Sequence, residues 1–81
     1  MNRVLIIDDE VSICRMLVYA LSQNGIDADM ATNGRDGLRK FNQEHFDIVI
    51  TDMLMPGMNG NDVAREIRNS NKPSTPIIGI S

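Results

Sequence analysis

Two apolar runs of the chain end in carboxylates, and this pattern limits the folds available to it. Residues 4–7 lead into Asp8 and Asp9, and residues 48–51 lead into Asp52. Continuous runs of branched apolar residues are typical of strands buried on both faces of a parallel sheet. The carboxyl ends of parallel strands open onto a common edge of the sheet, so we expect Asp8, Asp9 and Asp52 to converge there.

The segments between these runs show helical spacing of apolar residues, which predicts strands alternating with helices. We expect strands at residues 3–7, 27–31, 47–51 and 77–80, with the second at an edge and a cap for the second helix at Asn33 or Gly34. This order predicts a parallel α/β sheet with right-handed crossovers. The predicted buried faces of the three helices are Ile13, Met16, Leu17, Ala20 and Leu21; Leu38 and Phe41; and Val63, Ala64 and Ile67.

Length and charge exclude several classes of protein. A chain of 81 residues forms one domain at most, and its net charge of −3 would repel a DNA surface. Cys14 is the only cysteine, so no internal disulfide can form, and it is best explained as a small core residue. No apolar run approaches the length of a membrane span, and the residues before the first strand leave no room for a signal peptide. We therefore expect a cytoplasmic protein.

Three carboxylates close together need a cation or a proton to offset their repulsion. A hard divalent ion with oxygen ligands meets this need and leaves one carboxylate free for chemistry. A second interpretation is that residues 8–10 cap the following helix and complement its dipole. Taken alone, an Asp pair after a strand would be a cap more often than a metal site. Its combination with Asp52 and the Pro-Gly loop at Pro56 favours the metal site.

These residues resemble the receiver domain of bacterial response regulators in two-component signalling. The resemblance rests on Asp8 and Asp9 after the first strand, Asp52 after the third, and the segment Met55-Pro56-Gly57-Met58-Asn59-Gly60, and it covers the whole chain. It implies a flavodoxin-like doubly wound sheet with strand order 2-1-3-4-5. It also implies a phosphoacceptor signalling module whose only chemistry is Mg²⁺-dependent self-phosphorylation and dephosphorylation, not a conventional enzyme.

The resemblance assigns a role to each site residue. Asp52 would accept a phosphoryl group from the phosphohistidine of a sensor histidine kinase or a phosphotransfer protein. Asp9, Asp52 and the backbone carbonyl of Leu54 would bind Mg²⁺, and Asp8 would hold the ion through water. Ser81 matches the switch hydroxyl that turns towards the phosphoryl group.

The sequence departs from the family pattern after its fourth strand. The family continues with a helix, a fifth strand and a final helix, and a lysine at the end of that strand contacts the phosphoryl group. Lys40 and Lys72 fall in a helix and a loop, so neither replaces it. Residues 1–81 therefore correspond to the N-terminal two-thirds of a receiver domain, a (βα)3β unit with sheet order 2-1-3-4.

Two functional alternatives remain beside the phosphoacceptor. The chain could act as a phosphorylation-incompetent module that only binds a partner or itself, and the bare edge of the strand at 77–80 favours self-association. A Mg²⁺-dependent phosphatase of Rossmann type would need a second Asp two residues after the nucleophile. Leu54 occupies that position, which argues against this enzyme class.

Overall fold

The computed structural model describes residues 2–81, which form a parallel sheet of four strands with three helices. The sheet order β2-β1-β3-β4 confirms the predicted flavodoxin-like architecture without its last helix-strand-helix. No helix within residues 2–81 is both long enough and apolar enough to cross a membrane. The elements in chain order are β1 (Arg3–Ile7), α1 (Val11–Gln23), β2 (Asp27–Ala31), α2 (Gly34–Gln43), β3 (Ile48–Asp52), α3 (Gly60–Arg68) and β4 (Ile77–Ile80).

The strand register brings the acidic strand ends to the same edge of the sheet. Ile7, the last residue of β1, lies opposite Thr51 of β3, and Asp52 lies opposite Ile80 of β4. Asp8, which follows Ile7, donates its backbone N–H to the carbonyl of Ala31 at 3.1 Å and so stays in line with the sheet. The carboxyl ends of β1 and β3 therefore place their acids side by side.

The sheet carries a separate apolar layer on each face. The layer under α2 and α3 is the larger, and the layer under α1 contains fewer fully buried side chains. Strand residues alternate between the two layers, as the pleat of a strand requires. The buried members are Leu5, Ile7, Ala31, Phe41, Phe46, Val49, Met55, Val63 and Ile67 in the first layer, and Val4, Ile6 and Cys14 in the second.

The buried face of α1 differs from the predicted one. Met16 is 58% exposed and Ala20 is exposed, whereas Leu17 and Leu21 of the predicted face pack against the core. Cys14, predicted as a small core residue, is fully buried. The helix contacts β1 and β2, so the side of the helix that carries Cys14 and Val18 meets the sheet. The side that carries Met16 points away from this contact.

The helix caps confirm one prediction and correct another. Asn33 caps α2 by accepting the backbone N–H of Asp36, and Asn59 forms a capping box with Asp62 at the start of α3. The N-cap of α1 is Glu10, whose side chain makes no capping hydrogen bond. Glu10 therefore gives no side-chain cap, and the carboxylate of Asp8 instead accepts the backbone N–H of Glu10 at the start of the helix.

Candidate metal centre

The carboxylates of Asp8, Asp9 and Asp52 each offer an oxygen within 4.8 Å of the others. Asp8 and Asp9 lie in the loop between β1 and α1, and Asp52 is the last residue of β3. The three differ in burial, since Asp8 is buried, Asp52 is half-buried and Asp9 is exposed. The structure thus brings together the acids that the strand pattern predicted to converge.

Asp8 shows the electrostatic cost of this arrangement. Only 5% of the residue is exposed, and this burial raises the pKa of its carboxyl group. The neighbouring charges of Asp52 and Asp9 raise the pKa further, while the backbone N–H of Glu10, which donates to Asp8 Oδ1 at 2.9 Å, opposes the shift. A raised carboxyl pKa means that the cluster favours an added positive charge. An all-oxygen donor set of this kind fits Mg²⁺.

Asp52 is oriented by the loop that follows it. Its Oδ1 accepts the backbone N–H of Leu54 at 3.0 Å, which restricts rotation of the carboxylate. The next residue, Met53, donates its N–H to the carbonyl of Ile80 at 2.8 Å and so extends the β3–β4 pairing beyond Asp52. Leu54 is 77% exposed, so its side chain does not pack in the core. Leu54 contributes to the site through its backbone.

A cleft of about 370 Å³ opens beside the acids, between α1 and the end of β4. Asp8 and Asp52 line it together with Ser81, which places the predicted switch hydroxyl at the same cleft. Glu10, predicted only as part of a helix cap, also lines the cleft. Its position directly after Asp8 and Asp9 in the sequence could have indicated that it lies near the acids. The remaining lining residues are Ile13, Met16, Leu17 and Ile80.

The two lysines of the chain are engaged elsewhere, as predicted. Lys40 Nζ donates to Asp29 Oδ1 at 3.0 Å and to the carbonyl of Met30. Lys72 Nζ donates to the carbonyls of Phe41 and Glu44 at the C-terminal end of α2. Within residues 2–81, therefore, no lysine side chain supplies positive charge to the acids.

Comparison with known proteins identifies the family. The sequence model of the response regulator receiver domain matches residues 4–81. The chain belongs to the response regulator receiver domain family. A receiver domain is a signalling module, and the sheet order and strand-end acids described above agree with this membership.

Individual receiver proteins support the same conclusion. The chain is 36% identical over 81 residues to the response regulator ArlR of Staphylococcus aureus and spans 36% of its length. The chemotaxis protein CheY4 of Vibrio cholerae superposes with a TM-score of 0.94 at 34% identity, covering 98% of this chain and 67% of CheY4. The response regulator TrrA of Thermotoga maritima, solved in complex with Mg²⁺-BeF, gives a TM-score of 0.83 at 43% identity over 89% of this chain and 63% of TrrA. TrrA has also been solved in complex with the histidine kinase ThkA.

Proposed function

We propose that this receiver domain is the phosphoacceptor of a two-component phosphorelay and that Asp52 accepts the phosphoryl group. The observation that carries the proposal is the cluster of Asp52 with Asp8 and Asp9 within 4.8 Å at the carboxyl edge of the sheet. A carboxylate can act as the nucleophile in aspartyl-phosphate chemistry. The Leu54 N–H fixes Oδ1, which keeps a second lone pair for Mg²⁺. We therefore assign Oδ2 to the attack on phosphorus, as the bond from phosphorus to the histidine nitrogen of the donor breaks.

The proposed cofactor is Mg²⁺, held by Asp9, Asp52 and the backbone carbonyl of Leu54, with Asp8 acting through water. Mg²⁺ usually keeps several waters and takes few protein carboxylates, which suits a site with one buried, one half-buried and one exposed acid. When bound, the ion neutralises the acids and the charge of the incoming phosphoryl group. The complex of TrrA with Mg²⁺-BeF supports this assignment by relationship.

Ser81 is proposed as the switch hydroxyl, because it lines the cleft that also contains Asp52. A hydroxyl can donate to a phosphoryl oxygen, and this contact would pull the end of β4 towards the acids. Phosphorylation at Asp52 would in this way change the surface around β4. This change is the conformational signal passed to an output.

The proposed donor is a sensor histidine kinase or a phosphotransfer protein in the cytoplasm, which agrees with the solved complex of TrrA with ThkA. We assign residues 1–81 to one domain, the N-terminal two-thirds of a receiver. This chain spans 36% of the length of ArlR, so we propose an output and a cognate kinase without assigning either to these residues. A module that only binds partners is less well supported, because it gives no reason for three converging acids.

The experiment is Mg²⁺-dependent labelling by a small phosphodonor such as acetyl phosphate, with borohydride reduction and peptide mapping. We expect label on the peptide that contains Asp52, lost in Asp52→Asn and in the presence of a chelator. The rate should be about a hundredfold or more below that of receivers with a lysine on the phosphoryl oxygens, since removing one such contact costs this much. Label on another peptide would contradict the site, and rapid stoichiometric labelling would contradict the argument from the lysine.

A further inference from the structure

The side chain of Met53 lies between two glycines that belong to different elements. A Cβ atom placed on Gly79 of β4 would lie 2.6 Å from Met53 Sδ, and one placed on Gly60 of α3 would lie 2.5 Å from the same sulfur. Both distances are far shorter than a van der Waals contact. The sulfur therefore fills a gap that exists only because neither neighbour has a side chain.

Met53 also connects the acid site to both neighbours through its backbone. Its N–H donates to the carbonyl of Ile80 at 2.8 Å, and its carbonyl accepts the N–H of Gly60 at 3.5 Å. A Cβ on Gly60 would lie 2.7 Å from the carbonyl oxygen of Asp52, so the start of α3 approaches the backbone of the phosphoacceptor itself. One residue thus joins the ends of β3 and β4 to the first turn of α3.

We propose that the contact of Met53 with Gly60 and Gly79, here called the methionine clamp, positions Asp52 and the Leu54 carbonyl relative to the end of β4. Met53 is a positioning residue, because the proposed function assigns it no contact with the phosphoryl group or the ion. The consequence of this contact for signalling rests on the proposed function. Through the clamp, the position of the loop after Asp52 depends on the distance between β4 and the start of α3.

A thioether suits this position better than a branched side chain. Methionine is unbranched and adapts to irregular gaps, whereas a side chain branched at Cβ is restricted in its rotamers. A glycine inside a strand weakens the strand and often marks a close approach of another group. Gly79 fits that description, since it pairs with Thr51 in the sheet and the Met53 side chain packs against its backbone.

The chain contains a matched control for the clamp. Gly34, at the start of α2, contacts Met58 in the same manner, and a Cβ there would lie 2.9 Å from Met58 Sδ. In both Gly34→Ala and Gly79→Ala a new methyl group must displace a methionine side chain. Met58, however, lies five residues beyond Met53, against α2, and is not adjacent to Asp52.

The experiment measures amide hydrogen exchange of Met53 and Gly60, without metal, in the 81-residue chain. In Gly79→Ala we expect both amides to exchange about tenfold faster than in the wild type, within the range that overpacking a close contact produces. In Gly34→Ala the same amides should exchange at the wild-type rate. The double variant Met53→Ala/Gly79→Ala, in which the new methyl group has room, should recover part of the protection.

A second readout is the Mg²⁺ dissociation constant, from the shift of the Leu54 amide during titration. We expect Gly79→Ala to weaken Mg²⁺ binding about tenfold, the lower end of losses on removing groups that orient metal ligands, and Gly34→Ala to leave it unchanged. Unchanged Met53 and Gly60 exchange in Gly79→Ala, or equal effects of both variants, would overturn the clamp. Failure of the wild type to bind Mg²⁺ would refute the proposed metal site, while the exchange measurement would still decide the clamp.

Discussion

Replacing Asp52 with asparagine should stabilise the metal-free protein, because it removes charge from a repulsive cluster. The carboxylates of Asp52 and Asp8 approach within 4.8 Å. At that distance two unit charges repel by about 0.9 kcal/mol at the dielectric constant of water and by about 3.5 kcal/mol at an effective value of about 20. Asp52 is half-buried and partly screened, so we expect the free energy of unfolding to rise by about 1 kcal/mol.

The substitution isolates charge because asparagine keeps the shape and the Oδ1 acceptor that binds the Leu54 N–H. The assay is urea unfolding at pH 7 with a chelator, in low and in high salt. Added salt should reduce mainly the part of the difference that comes from exposed Asp9, since repulsion between Asp52 and buried Asp8 is screened much less. Added Mg²⁺ should raise the stability of the wild type more than that of the variant, because a ligand of the folded state stabilises it by mass action.

Asp36→Asn serves as the control of opposite sign. The side-chain amide of Asn33 and the guanidinium of Arg39 both donate to the Asp36 carboxylate, and they lower its pKa. Loss of this charge should therefore lower the free energy of unfolding. A destabilised Asp52→Asn would refute the inference that the acids repel one another in the metal-free state.

Two further predictions concern assembly and pH. In the described sheet β4 pairs only with β3, and its residue Ile78 is 49% exposed. Because an uncovered apolar edge strand can pair with another chain, we expect light scattering to show a dimer or larger oligomer with rising concentration, and Ile78→Lys to favour the monomer. A compact, cooperatively unfolding wild-type monomer at high concentration would contradict this. The pKa of Asp47 is lowered mainly by the hydrogen bond from the backbone N–H of Arg3, and also by the hydrogen bond with the His45 side chain. The Asp47 carboxylate therefore stabilises the fold at neutral pH, and this stabilisation is lost as the pH falls through and below the ordinary value of 3.8. Asp47→Asn should therefore be less stable than the wild type at pH 7, with the difference narrowing in acid, and a difference that stays constant with pH would argue against it.

β1, β3 and β4 were predictable from short branched apolar runs, and β2 from alternating polar and apolar residues. The bounds of β4 agree with the predicted residues 77–80, whereas the third strand was predicted at 47–51 and lies at Ile48–Asp52. Asp47 donates its N–H to the carbonyl of Arg3 at 2.8 Å, so it joins the hydrogen bonding just before the strand begins. An error of one residue at such a boundary is expected, because strand ends lie where pairing fades into the loop.

The buried face of α1 was harder to predict because the helix has two apolar stripes. Periodicity selected a stripe from which Leu17 and Leu21 do pack against the sheet, but Met16 does not. Cys14 and Val18, from the neighbouring stripe, complete the contact. Local spacing does not say where a helix lies across a sheet, and that placement depends on the crossover from β1 to β2. The strand-end acids depend on sheet topology alone, so their convergence followed from the sequence.

The methionine clamp could not be inferred from spacing. Gly79 is far from Met53 and Gly60 in the sequence, and the three meet through the packing of β3, β4 and α3. The sequence shows the glycines as turn or strand-weakening residues, which is true of many glycines without such a contact. Their joint role depends on distances that only the folded chain provides.

The most direct test of a Mg²⁺-dependent phosphoacceptor at Asp52 is an NMR titration with beryllium fluoride, the group seen with Mg²⁺ in the TrrA complex. Amide shifts should be followed for the wild type and Asp52→Asn, with and without Mg²⁺. We predict that Mg²⁺ alone shifts Leu54, and that beryllium fluoride added in the presence of Mg²⁺ shifts Met53, Leu54 and Ser81 further in the wild type only. Equal shifts in Asp52→Asn, or shifts that do not need Mg²⁺, would contradict the account.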